Sequence, residues 1–174
     1  LLGSLNLGWS RRLPMVLQTE AAECGLACLT MLGAYHGYHS DLASLRRQFG
    51  LSLLGATLKD LVRIANDLGL ASRPVRLELE ELSQLETPCI LHWDLNHFVV
   101  MTGSSRRSIR IIDPARGEQR LPLAEVSRHF SGVAVELQPT TSFQPKRRDR
   151  RLGLITLLGS LRGWRTAGIQ ILVL

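Results

Sequence analysis

Cysteine is scarce in this chain, and its scarcity narrows the field. Three cysteines in 174 residues cannot make a disulfide framework, because an odd number leaves one over. Cys24, Cys28 and the distant Cys89 also lack the paired spacing of a structural zinc site. A reducing compartment is the better expectation for such a chain. Position 1 is not methionine, and the apolar content of residues 1–12 is too short and broken for a signal peptide or a membrane span. That segment is expected to come from a longer coding sequence. There is no internal repeat. A charged domain is missing too. Residues 1–145 carry 14 Lys and Arg against 14 Asp and Glu, so the net +6 resides in residues 146–174, with seven basic residues and one acidic. A nucleic-acid reader carries its basic face on the folded domain. This chain does not, so no nucleic-acid partner is expected.

What is present suffices for a core. Hydrophobic residues make up 45% of the chain, which argues for one globular domain of ordinary size. The first half reads as helical. A helix starts near Cys24 and runs to about Tyr35, where Gly37 stops it; Leu26, Leu29, Leu32 and Ala34 set its apolar spacing. Asp41 opens a second helix over residues 42–49, closed by Gly50. Thr57 caps a third over residues 58–68, closed by Gly69.

The second half reads as strand. Residues 71–77, 88–93, 97–102, 108–113 and 133–137 have strand character, with helical turns at 80–85 and 122–130 and a chain break at Pro114 and Gly117. Helices followed by an antiparallel sheet define an α+β domain spanning residues 13–139. Residues 140–151 read as a basic linker. Residues 152–174 are apolar and still running at the last residue, with basic residues just before them, as at the cytoplasmic flank of a membrane helix. They are expected to be a juxtamembrane segment opening a truncated membrane domain.

Chemistry is suggested at two places. Gln18 stands six residues ahead of Cys24, and Cys24 opens the first helix. Unpaired N–H groups and the dipole at a helix start stabilise a thiolate. Glu20 and Glu23 oppose it, so an imidazolium must outweigh them. Gly25 is expected to let a substrate backbone approach. Gln18 is a candidate amide donor to an oxyanion. Further on, a turn centred on Ser105 sets His97 against Asp113 across a hairpin, with Val99 facing Ile111 and Met101 facing Ile109. A carboxylate there can fix the tautomer of the ring and leave the other nitrogen for a thiol. Each feature alone has an ordinary reading, as a buried cysteine or a cross-strand ion pair. Together in one small domain they favour chemistry. Cys28 reads as core, His92 as structural, His36 and His39 as turn residues, and His129 as a helix residue without an evident partner. A metal site built from His36, His39, His92 and His97 is conceivable, but their spacings fit no ligand pattern.

Gln18-x5-Cys24-Gly25, then Asn96-His97-Phe98-Val99-Val100, then Ile112-Asp113-Pro114-Ala115-x-Gly117 resemble the C39 family of cysteine peptidases over residues 13–139. The resemblance implies a papain-like fold, with Cys24 as nucleophile, His97 as base and acid, Asp113 as its orienter and Gln18 as oxyanion donor. It implies the N-terminal domain of an ABC exporter at the cytoplasmic face of the bacterial inner membrane. That domain removes a leader peptide after a Gly-Gly pair from bacteriocin-like precursors. The implied partners are that leader, the transporter's own membrane and nucleotide-binding domains, and an anionic membrane surface met by residues 146–174. The full transporter is expected to be a homodimer. No cofactor is expected for the peptidase, and ATP is expected only in an absent nucleotide-binding domain. A leader-binding tether that does not cut is the alternative, and the presence of Cys24 argues against it.

Overall fold

The structure is a computed structural model that describes residues 13–50 and 55–146. The N-terminal extension, the basic run from Arg147 and the apolar run 152–174 lie outside the described residues.

Helix α1 (Cys24–His36) follows a 3-10 turn at Ala21–Glu23 and is the centre of the domain. Its first ten residues are all buried. The apolar spacing suggested one buried face, but α2 (Leu42–Phe49), α3 (Leu58–Asp67) and the sheet surround the helix. Leu26, Leu29, Met31 and Leu32 are fully enclosed, each stabilising the fold by about 1.5–3 kcal/mol. The helix ends as expected. Gly37 takes φ 103°, its N–H donates to the Ala34 carbonyl, and the Tyr38 N–H reaches back to Gly33 at 2.7 Å. A left-handed residue here satisfies carbonyls that the helix leaves unpaired.

The other helices also carry the caps their sequences suggest. The Asp41 carboxylate accepts the Ser44 N–H at 2.7 Å. Thr57 and Asp60 exchange hydrogen bonds at the start of α3, with Asp60 N to Thr57 Oγ1 at 3.2 Å and Thr57 N to Asp60 Oδ2 at 3.0 Å.

Among the described residues, six strands form one antiparallel sheet in the order β1-β6-β2-β3-β4-β5. They are β1 (Leu70–Arg76), β2 (Cys89–Trp93), β3 (His97–Ser104), β4 (Ser108–Asp113), β5 (Gly117–Pro122) and β6 (Phe130–Pro139). Alternation divides the buried residues between two cores. Ile90, Phe98, Val100 and Ile112 join the helical layer with α1. Leu91, Val99, Met101 and Ile111 lie with Val126 of α4 (Leu123–His129) and with Leu82 of the 3-10 segment Leu79–Gln84.

Two readings need correction. The chain does turn at Pro114, but Gly117 opens a further strand, β5, that the strand reading omits. It is an edge strand, Gly-Glu-Gln-Arg-Leu-Pro, paired among the described residues with β4 alone, and it carries no apolar alternation to betray it. The hairpin register also differs. The turn is held by the Ser105 N–H on the Ser108 carbonyl at 2.8 Å, and the pairing runs Ser104 to Ile109 and Gly103 to Arg110. An irregularity between Gly103 and Met101 then gives Met101 opposite Ile111 and Val100 opposite Ile112. His97 pairs with Trp93 of β2 instead. The slip near the site is two residues, which preserves the face each side chain occupies. Residues 140–146 make contacts with the domain. Thr140 donates to the Gly69 carbonyl through its N–H (3.0 Å) and its hydroxyl (2.8 Å), Phe143 packs on the helical core, and the His39 N–H reaches the Lys146 carbonyl at 2.8 Å.

Candidate active site

Cys24 is the first residue of α1 and is 5% exposed. The 3-10 turn before it brings the chain in from Gln18. Gln18 is itself anchored by its N–H to the Pro114 carbonyl at 2.9 Å, so the stretch before the helix is tied to the residue after Asp113. The Gln18 amide oxygen is buried and has no partner among the described residues.

His97 opens β3, and its Nε2 lies 2.8 Å from Asp113 Oδ1. An ionised carboxylate only accepts, so Nε2 carries the proton and Nδ1 is the nitrogen left for a thiol. Asp113 is 4% exposed. Its Oδ1 also accepts the Ala115 N–H at 2.8 Å, and the Arg116 guanidinium stands 4.0 Å from its Oδ2. Burial works against its charge, but the bond from His97, then that from Ala115, holds the carboxyl below its ordinary range. For His97, burial alone would lower the pKa. Hydrogen bonding to Asp113 and then to the Cys24 thiol outweighs it and raises the ring to about 9. The structure therefore brings Cys24, His97 and Asp113 together, and it seats Gln18 beside the Asp113 loop.

The other thiols are different. Cys28 is fully enclosed one turn along α1, and burial, with Cys24 and Asp113 nearby, pushes its pKa well up. Burial pushes the Cys89 thiol up to about 12. Both stay protonated and inert.

Gly25 has a packing role that the sequence reading did not foresee. A Cβ there would meet Leu61 Cδ2 at 2.8 Å, Ala56 Cβ at 3.2 Å and Phe98 at 3.4 Å. The glycine allows close packing of α1 against α3 and β3. His92 is structural: its Nδ1 meets Ser131 Oγ at 2.7 Å, and burial lowers its pKa. His129 does have a partner. It pairs with Asp94 at 2.6 Å and stacks on Trp93, bracing the turn before His97. That contact joins residues 35 apart, beyond the reach of local pattern. Among the described residues, no three His, Cys, Asp or Glu side chains gather as metal ligands. Sequence reading missed Arg46, whose guanidinium pairs with the buried Glu23 just before the nucleophile.

Helices packed on an antiparallel sheet, with a cysteine at the start of the central helix beside a carboxylate-bonded histidine, make a papain-like cysteine peptidase domain. The chain belongs to the Peptidase C39 family, which it matches over residues 12–142. It is 48% identical over 91% of its length to the Escherichia coli "Colicin V secretion/processing ATP-binding protein CvaB", covering 23% of that protein. It is 29% identical over 84% of its length to the Streptococcus pneumoniae "Transport/processing ATP-binding protein ComA", covering 22% of it. The chain thus spans under a quarter of the curated relatives it matches. Among solved structures, a double glycine motif protease from an AMS/PCAT transporter, in complex with the leader peptide, superposes with a TM-score of 0.70. It is 36% identical, over 75% of this chain and 94% of that one. The peptidase domain of Streptococcus ComA gives 0.68 at 26% identity, over 74% and 100%.

Proposed function

We propose that this domain cuts peptide precursors after a Gly-Gly pair, releasing the leader from a cargo that an ABC exporter carries out of the cell. The observation that carries the reading is the 2.8 Å bond between His97 and Asp113, with Cys24 at the start of α1 close enough to help raise the pKa of the same ring. Membership of the C39 family and the likeness to a leader-bound double glycine protease support the substrate class.

In this mechanism the Cys24 thiol gives its proton to His97, and its sulfur attacks the carbonyl carbon of the second glycine. The oxygen takes up negative charge, which the Gln18 amide stabilises. As the C–N bond breaks, His97 returns the proton to the leaving amine, and the acyl group stays on Cys24 as a thioester. His97 then takes a proton from water as the hydroxide attacks the thioester, and it reprotonates the departing sulfur. Asp113 orients the ring throughout and favours its charged form. Every proton in the cycle moves through His97, so the cutting step needs no cofactor, and ATP acts only in the transport machinery. Gly-Gly selectivity would follow from a cleft too narrow for a Cβ. Exposed apolar residues lie near both halves of the site in sequence: Met15 and Leu17 before Gln18, and Leu95 before His97. They suit an amphipathic peptide.

As part of an exporter the domain would work at the cytoplasmic face of the membrane, with residues 146–174 against anionic lipid and the full transporter as a homodimer. Among the described residues no helix is long and apolar enough to cross a membrane.

The deciding experiment compares wild type with Cys24→Ser, measuring cleavage of a Gly-Gly leader peptide and its dissociation constant. A hydroxyl ionises far less readily than a thiol, so cleavage should fall to background while affinity stays within a few-fold. A wild type that binds the leader tightly and never cuts it would be a tether, and the peptidase reading would fail.

A further inference from the structure

Glu23 is a buried carboxylate, 4% exposed, on the residue immediately before the nucleophile. That placement needs an explanation. A negative charge beside Cys24 opposes the thiolate, and burying an ion pair is a poor source of stability. Its contacts supply one. Glu23 Oε2 accepts the Thr19 N–H at 3.0 Å, the Thr19 hydroxyl at 2.6 Å and the Glu20 N–H at 3.0 Å. Its other oxygen pairs with the Arg46 guanidinium. The same guanidinium donates to Thr19 Oγ1 at 2.9 Å and to Glu20 Oε1 at 3.1 Å. Hydrogen bonding and the Arg46 pairing keep Glu23 ionised against the effect of burial.

The result is a closed ring. Residues 19–23 fold back on themselves around one carboxylate, and the fork of Arg46 ties the ring to α2, itself anchored by the fully buried Leu45. On the other side the Gln18 N–H is held by Pro114. Gln18 therefore stands between two fixed points, one at its own nitrogen and one at the next residue. Its buried amide oxygen makes no bond within the described protein, so the acceptor end of the side chain is not tied to the fold.

We propose that the Glu23–Arg46 pair is a positioning device for the oxyanion donor, holding the 18–24 loop so that the Gln18 amide meets charge developing on the substrate carbonyl. Arg46 has a second task, cancelling the Glu23 charge that would otherwise oppose the nucleophile. The proposal rests on the peptidase reading above, with Gln18 as oxyanion donor. The contacts of Glu23 and Arg46 are with Thr19, Glu20 and each other. Their effect on hydrolysis therefore passes through the placement of Gln18, and their effect on the Cys24 charge is the separate one that alkylation reads.

The test uses the full 174-residue chain and a Gly-Gly leader peptide. Gln18→Ala should lower kcat by about 10²–10³. Glu23→Gln, which keeps the shape and loses the charge, should lower kcat by about 10- to 100-fold through misplacement of the donor, with KM within about twofold. The double variant should be no slower than Gln18→Ala, because an arm that is gone cannot be misplaced. Iodoacetamide alkylation of Cys24 requires a thiolate and no oxyanion donor, so Glu23→Gln should keep or raise its rate. If Glu23→Gln does not fold, as judged by circular dichroism, Arg46→Lys keeps the charge and breaks the fork, and the same pattern is expected of it. Losses that multiply in the double variant, alkylation falling in step with hydrolysis, or a wild-type kcat in the brace variant would each overturn the proposal. Wild-type kcat in Gln18→Ala would instead remove the oxyanion assignment itself.

Discussion

His97 bonds Asp113 at 2.8 Å although the two residues are not opposed across the sheet. The observed pairing of Val100 with Ile112, continued one step, sets Asp113 against Val99. His97 is then the diagonal neighbour, two residues on and on the same face. An imidazole spans that diagonal, and a shorter side chain would not.

This geometry predicts a pH profile. The ring titrates at about 9 rather than near 6.5, so its charged form persists through neutral pH and the alkaline limb of kcat/KM should fall near 9. The same sign governs stability. The contribution of the raised pKa is fully present below 6.5 and is lost as pH rises through about 9. Asp113→Asn removes the carboxylate and should move the alkaline limb down by about one unit or more. An unmoved limb would show that Asp113 does not set the charge on His97.

Thiol chemistry should be confined to Cys24. Cys28 and Cys89 are fully enclosed with raised pKa values, whereas Cys24 opens a helix beside His97. Iodoacetamide labelling of the folded protein, mapped by mass spectrometry, should find Cys24 alone at short times. Comparable labelling of Cys28 would contradict this environment.

Gly25→Ala tests whether that glycine serves packing or substrate. An added Cβ meets the buried Leu61 at 2.8 Å and Ala56 at 3.2 Å, and overpacking of this kind costs about 1–3 kcal/mol. The gain in helix propensity, about 1 kcal/mol at most, does not offset it. Urea unfolding should show a loss of about 1–2 kcal/mol, with KM for the leader unchanged. A raised KM at full stability would restore the substrate-approach role.

The end of the folded unit can be located by truncation. A chain ending at Lys146 keeps Phe143 on the core and both Thr140 bonds to Gly69, and it should match the full chain in cleavage and unfolding. A chain ending at Pro139 loses them and should be less stable by about 3 kcal/mol, from one aromatic side chain and two hydrogen bonds. Equal stability of the two would make residues 140–146 a linker after all.

By itself the sequence determined the local elements and the chemical inventory. Asp41, Thr57 and Gly37 act on groups within five residues of themselves, so their caps are legible from spacing. Gln18, Cys24, His97 and Asp113 were legible as residue types in an order. Tertiary structure alone decided how they meet. The diagonal reach of His97 depends on where the Ser105 turn and the irregularity between Met101 and Gly103 put the register. Gly25 packs on Leu61 of α3, the 3-10 turn and α2 bring Arg46 onto Glu23, and the sheet sets Asp94 beside His129. Edge strand β5 needs no apolar alternation, and Phe143 finds its core site only once Gly69 and α1 are in place. Caps and periodicities are short-range and repeat along the chain. Contacts between residues tens of positions apart arise only when the whole chain closes on itself, and no local pattern encodes them.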